Sequence, residues 1–214
     1  AERACCDTAL ATMLALNSEF AGALQAGLRA QQALEGETHA LLQRQLLLTL
    51  SFTFLSVGDL EAATGLILQL QIRDDDRTRW GTGMAYNLLL VFLLQRRLDQ
   101  AAELLEKRPW LFQDASLDGV SPLADLLACI RQLQGRHDEA RTLLDRPQPD
   151  LTGLPSALRA NRAWLRADVL VGLGRQAQAL ELLRTELPHV LPMTPLNATQ
   201  WYRALADACE ASGD

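Results

Sequence analysis

The stretch Leu46–Leu70, LLLTLSFTFLSVGDLEAATGLILQL, decides the fold. It holds two apolar runs separated by Gly58-Asp59, with the small pair Ala62-Ala63 just beyond. Glycine accepts the left-handed backbone that ends a helix, and Asp favours the start of the next one through its side chain or the helix dipole. Read alone, LLLTLSFTFL could also be a buried strand or a membrane remnant. Its neighbours remove that ambiguity, because the same phrase returns along the chain.

The phrases are Asn17–Ala23, Val57–Ala63, Gln95–Ala101, Gln134–Ala140 and Leu173–Ala179, and Ser212-Gly213-Asp214 opens a sixth. Their final alanines stand 40, 38, 39 and 39 residues apart. Twelve residues before each lies a second small position, Ala11, Ser51, Ala128 and Ala167, with Ala206 in the last unit and Leu89 as the exception in the third. Small residues at a fixed offset mark helices that cross closely, so each unit reads as a helical hairpin. A fixed period of this length is the signature of a repeat architecture. Pro109, Pro147 and Pro188 are expected to follow the second helices, since proline cannot continue a helix. Ser121-Pro122 and Thr194-Pro195 read as N-caps with Pro at the first helical position, and Pro155 is expected to play the same part. The segments Asp74–Thr78, Gln113–Ser121 and Gln148–Pro155 read as short polar connections.

Composition agrees. Hydrophobic residues make up 49% of the 214 residues and aromatics only 5%, so the core must be mostly Leu and Ala. Both are helix formers. The expected fold is all-α: a right-handed α-solenoid of about five and a half hairpins, in one domain spanning residues 1–214, with units near 1–38, 39–77, 78–116, 117–154, 155–193 and 194–214. No change of composition marks a second domain.

Charge and motifs exclude several classes. The formal net charge is -6, and nineteen of the twenty basic residues are Arg, with Lys107 the exception. No basic block interleaved with aromatics appears, so direct nucleic-acid binding is not expected. The longest uninterrupted apolar run, Leu88–Leu94, is too short to span a bilayer, so no membrane partner is expected. Cys5, Cys6, Cys129 and Cys209 lack disulfide or zinc spacing, and read as free thiols of a cytoplasmic protein. His39, His137 and His189 lie in different units without metal-ligand neighbours, so neither a metal nor a cofactor is expected. Asp74-Asp75-Asp76 reads as a solvated loop. The run Asp168–Gly172 followed by Leu-Gly174-Arg-Gln-Ala177 fits G-x-G-x-x-A, but Gly174 is in phase with Gly58 and Gly135, and the repeat already explains it. No nucleophile–base set is visible, and an enzyme is not expected.

The units resemble the tetratricopeptide repeat, which keeps a small residue in each helix and a large apolar residue before the second. Phe20, Leu60 and Leu98 fill that last place, whereas His137 and Gln176 fit it poorly. The period of about 39 exceeds that family's 34, and is more like the longer arrays in bacterial signalling proteins and transcription activators. Such a resemblance implies that the first helix of each unit lines a concave groove. Carried over position by position, the groove would comprise Gln45, Leu48, Phe52 and Leu55 in the second unit, Gly83, Tyr86, Leu90 and Leu93 in the third, Pro122, Asp125, Cys129 and Gln132 in the fourth, Asn161, Trp164, Asp168 and Val171 in the fifth, and Gln200, Arg203, Asp207 and Glu210 in the sixth. Its N-terminal half would be apolar and its C-terminal half acidic. The expected partner is a protein or peptide segment with apolar and basic groups, bound by a non-catalytic module of a larger bacterial regulator. The alternative is a small-molecule effector, for which Trp164, Asn161 and Asp168 would suit a sugar. Trp164→Ala and Asp168→Lys are expected to weaken binding without unfolding the array. The chain opens at Ala1 without Met and stops at a hinge, so it reads as a fragment whose last helix could pair with a second copy to form a homodimer.

Overall fold

The structure, a computed structural model, describes residues 2–35, 39–69, 79–111, 123–145, 155–191 and 193–213, with the backbone alone at 79 and 80. It is all-α. Eleven helices are described: α1 (Glu2–Leu16), α2 (Phe20–Ala33), α3 (Ala40–Val57), α4 (Leu60–Leu68), α5 (Arg79–Leu94), α6 (Leu98–Lys107), α7 (Leu123–Leu133), α8 (His137–Leu144), α9 (Ser156–Gly172), α10 (Gln176–Val190) and α11 (Pro195–Ser212). No strand occurs among the described residues. The helices pack into two compact units, Ala1–Val91 and Phe92–Asp214, and the division falls inside α5.

One turn recurs. Six described residues have positive φ: Ser18, Gly58, Arg96, Gly135, Gly174 and Gly213. At Gly58 the residue's own N–H donates to Leu55 O at 3.0 Å and the next N–H, of Asp59, donates to Phe54 O at 2.9 Å. The same two bonds close the turns at Ser18, Arg96, Gly135 and Gly174. This pair satisfies carbonyls that a helix C-terminus otherwise leaves open. The second helix then begins two residues on, at Phe20, Leu60, Leu98, His137 and Gln176. Asp59 caps α4 through Oδ1, which accepts from Ala62 N at 3.0 Å. Asp99 and Asp138 sit instead in the first turns of α6 and α8, where they complement the helix dipole.

In the first unit α1 packs on α2 and α3, α2 on α3, and α3 on α4. Ala4, Ala30, Leu34, Leu46 and Leu50 form a buried cluster there. Ala11, Ala23, Ser51 and Ala63 are fully buried, which is what a close crossing requires. Gly27 serves the same end, since a Cβ there would stand 2.4 Å from Leu50 Cδ2. α3 is the one described helix long and apolar enough to cross a membrane by length and composition. Two of its polar groups, however, are tied to other helices. Thr49 Oγ1 lies 2.9 Å from Thr12 Oγ1, and Asn87 Nδ2 donates to Ser51 Oγ at 2.8 Å. Leu88–Val91 of α5 is buried throughout.

In the second unit α9 is central. It contacts α7, α8, α10 and α11, while α7 packs on α8 and α6, and α10 on α11. Ala101, Ala128, Ala140, Ala167 and Ala179 have no exposure. Ala206 is exposed, and Ala204 and Ala208 take the buried face of α11 instead. Thr194 caps α11 as expected, accepting from Asn197 N at 2.8 Å, with Pro195 at the first helical position. Two proline expectations need correction. Pro155 is the N-cap of α9 and not its first residue, and Pro188 lies inside α10. α10 runs past Pro188 for two residues because Val190, 1% exposed, is anchored in the core. Pro109 does follow α6. Pro147, Pro122, Asp74-Asp75-Asp76 and almost all of the three connecting segments lie outside the described residues.

Candidate functional site

The second unit contains a cavity of about 360 Å³. Its walls come from the last turn of α5 (Leu93, Leu94), the following turn (Arg96), α7 (Cys129, Gln132, Leu133), α9 (Trp164, Asp168, Val171, Gly172) and α11 (Gln200, Arg203, Asp207). Within α7, α9 and α11 these residues recur at three- and four-residue steps, so each of these helices contributes one stripe of its surface. On α7 and α9 only the C-terminal part of the stripe reaches the cavity.

Charges inside the cavity are already paired. Arg203 Nη2 bonds Asp168 Oδ2, its Nη1 lies 3.4 Å from Asp207 Oδ2, and its Nε donates to Gln200 Oε1 at 3.1 Å. Burial pushes the Asp168 carboxyl above the usual carboxylate range, and the Arg203 charge opposes that rise. Burial also raises the Cys129 thiol, with the Asp168 charge adding to it, so the group is a poor nucleophile. The Arg96 side chain, in contrast, makes no hydrogen bond or ion pair among the described residues. Gln132 also lacks a side-chain partner among them. Its amide lies over Gly172, where a Cβ would meet Nε2 at 2.1 Å.

Trp164, Asp168, Arg203 and Asp207 thus come together, with Cys129, Gln132, Val171 and Gln200 beside them. Asp125 and Asn161 do not join them. Asp125 is held by Arg162 Nε at 3.1 Å and Arg166 Nη1 at 3.5 Å, within side chains only 2%, 6% and 23% exposed respectively. These pairs join α7 to α9, and the Arg159–Glu186 pair joins α9 to α10. Asn161 Oδ1 and Asn197 Oδ1 accept from Trp164 Nε1 at 3.3 and 3.1 Å, and Asn197 Nδ2 donates to Ala157 O, clasping α9 to α11. In the first unit Phe52, Tyr86 and Leu90 are buried, and Leu48 is half-buried with its methyls against Gly83.

Two consequences follow for the expected site. The Trp–Asn–Asp set that would suit a sugar is divided, because Asn161 is spent on an internal bond and Trp164 is 1% exposed. Trp164→Ala is therefore a core truncation, not a surface change that spares the fold. The acidic character expected of the groove is also reduced, since Asp168 and Asp207 share Arg203 and Asp125 is held by Arg162 and Arg166. Arg96 was not among the expected groove residues. Its signal in the sequence was an Arg at the turn position that Gly58, Gly135 and Gly174 fill elsewhere.

Cys5 and Cys6 are exposed on α1, and Cys209 is half-buried on α11. Among the described residues no three His, Cys, Asp or Glu side chains converge as metal ligands would. The strand-like run of the G-x-G-x-x-A match is helical, and Gly174 is the turn residue after α9. No protein-family description, no curated protein and no solved structure matches this chain.

Proposed function

We propose that this chain is a tetratricopeptide-like right-handed solenoid with a period of about 39 residues, acting as a non-catalytic interaction module of a larger regulatory protein. It binds a peptide or protein segment in the cavity of its second unit. The observation that carries this reading is the composition of the cavity wall. It is built only from the first helices of successive hairpins and one turn, as a concave groove would be. The repeated turn at Ser18, Gly58, Arg96, Gly135 and Gly174 supports the repeat. So do the first-helix contacts of α1 with α3, α7 with α9, and α9 with α11. The bacterial and regulatory setting rests on the resemblance and on the preference for Arg over Lys.

Peptide display against the wild-type chain, counter-screened on Val171→Arg, tests the binding site. Val171 is half-buried in the cavity wall, so an Arg there fills the space. Peptides that bind wild type and lose the variant support the reading. Peptides that bind both equally place the binding surface elsewhere.

A small-molecule effector is the second reading. The cavity volume favours it, because pockets for small ligands span roughly 300–1,000 Å³. A ligand-dependent rise in melting temperature, absent in Val171→Arg, would distinguish it.

A further inference from the structure

We infer that the cavity takes its ligand through a carboxylate, with Arg96 as the anchor and the Gln132 and Gln200 amides as further donors. This rests on the proposed binding role of the same cavity.

Few groups in the wall are still available. Asp168 and Asp207 share Arg203, so three of the four charges in the wall hold one another. The fourth, the Arg96 side chain, makes no hydrogen bond or ion pair among the described residues and acts on Asp168 only through space. The Gln132 amide is likewise uncommitted. Gln200 uses its Oε1 to accept from Arg203, which leaves its NH₂. The free donors are thus the two Gln NH₂ groups and the Arg96 guanidinium, whose planar fork matches a carboxylate. Leu93, Leu94, Leu133 and Val171 supply apolar wall for an aliphatic portion. A basic ligand would have to compete with Arg203 for both carboxylates and would meet Arg96 directly.

The backbone adds an independent reason. Arg96 holds φ at 58°, a left-handed conformation that side chains other than glycine resist. Four of the six turns of this kind carry Gly. Ser18 and Arg96 are the two non-glycine members of the set, and of these Arg96 lines the cavity. Strain kept at a residue that lines a cavity is consistent with a use for its side chain.

The test uses ¹H–¹⁵N NMR of the whole chain, following the side-chain amides of Gln132 and Gln200. The probes are glutarate and three capped pentapeptides: Leu-Glu-Leu-Glu-Leu, its Gln counterpart and its Lys counterpart. The Glu peptide, glutarate or both should shift both amides, and Arg96→Gly and Arg96→Gln should each weaken binding by about tenfold or more. Arg96→Gln retains the backbone strain and removes only the charge. Glutarate alone binding assigns the site to small acids, and the peptide alone assigns it to acidic segments. Binding of the Gln or Lys peptide in preference, or equal affinity in both variants, overturns the carboxylate anchor while leaving the groove in place. If no probe moves either amide, the anchor and the binding role of the cavity fall together.

Discussion

Arg96→Gly is expected to stabilise the protein while removing a side chain of the cavity wall. The native φ at residue 96 is 58°, and its N–H and that of Arg97 make the two capping bonds to Leu93 O and Phe92 O at 3.1 and 2.8 Å. Those bonds are backbone to backbone and survive the substitution. An L-residue in this conformation costs roughly 1–2 kcal/mol, and glycine gives back about 0.5–1 kcal/mol through the greater freedom of its unfolded chain. The Arg96 side chain makes no bond whose loss would offset the gain. The net expectation is a gain of about 0.5–1 kcal/mol. The reverse changes supply the control. A Cβ at Gly58, Gly135 or Gly174 meets nothing within 4 Å, so an Ala there suffers only the backbone term. Gly58→Ala, Gly135→Ala and Gly174→Ala should each lose about 1 kcal/mol. Urea unfolding followed by circular dichroism reads all four, as shifts of the midpoint at constant slope. A destabilised Arg96→Gly together with neutral Gly→Ala changes would refute the account of the turn.

Three further outcomes follow from the second unit. Trp164→Ala should lose about 3–5 kcal/mol, since the ring is 1% exposed and its N–H closes the bonds to Asn161 and Asn197; a loss below about 1 kcal/mol in the same urea assay would show that the ring is not core. Asp125→Ala should cost about 3–5 kcal/mol by removing the buried carboxylate that Arg162 and Arg166 share, and Asp125→Leu combined with Arg162→Met should recover most of that loss. A double variant no better than the single one would mean the ion pair itself carries the stability. Binding of an acidic ligand should depend on pH through Asp168, which faces Arg203, Asp207 and, at longer range, Arg96. Its carboxyl is raised above 3.8, so it gains its proton earlier than an ordinary Asp as the pH falls, and its contribution to stability grows through that interval and levels off below the unfolded value. Protonation releases Arg203 to the ligand. Affinity for glutarate should therefore rise as Asp168 takes up its proton, over an interval in which glutarate itself stays ionised, and in Asp168→Asn it should be higher at pH 7 and lose that dependence. Calorimetric titration at several pH values would expose the opposite slope.

The hairpins were legible in the sequence because their causes are local. Gly58, Gly135 and Gly174 announce a left-handed turn wherever they stand, and the residues two beyond them begin the second helices. Alanines at fixed offsets mark close crossings, and all but Ala206 are buried as that spacing requires. The stripe on each first helix was also visible, since three- and four-residue steps place Trp164, Asp168 and Val171 on one face whatever surrounds them. What periodicity cannot encode is where along its length a stripe opens. Asp125 and Asp168 occupy equivalent kinds of position, yet Arg162 and Arg166 cover the first while the second lines the cavity. The partners involved lie 35 to 41 residues apart, and which of them meet depends on how one helix seats against the next. Only that packing could decide that both aspartates share Arg203 and that the side chain of Arg96, an inconspicuous turn residue, is the charge in the wall without an ion pair among the described residues.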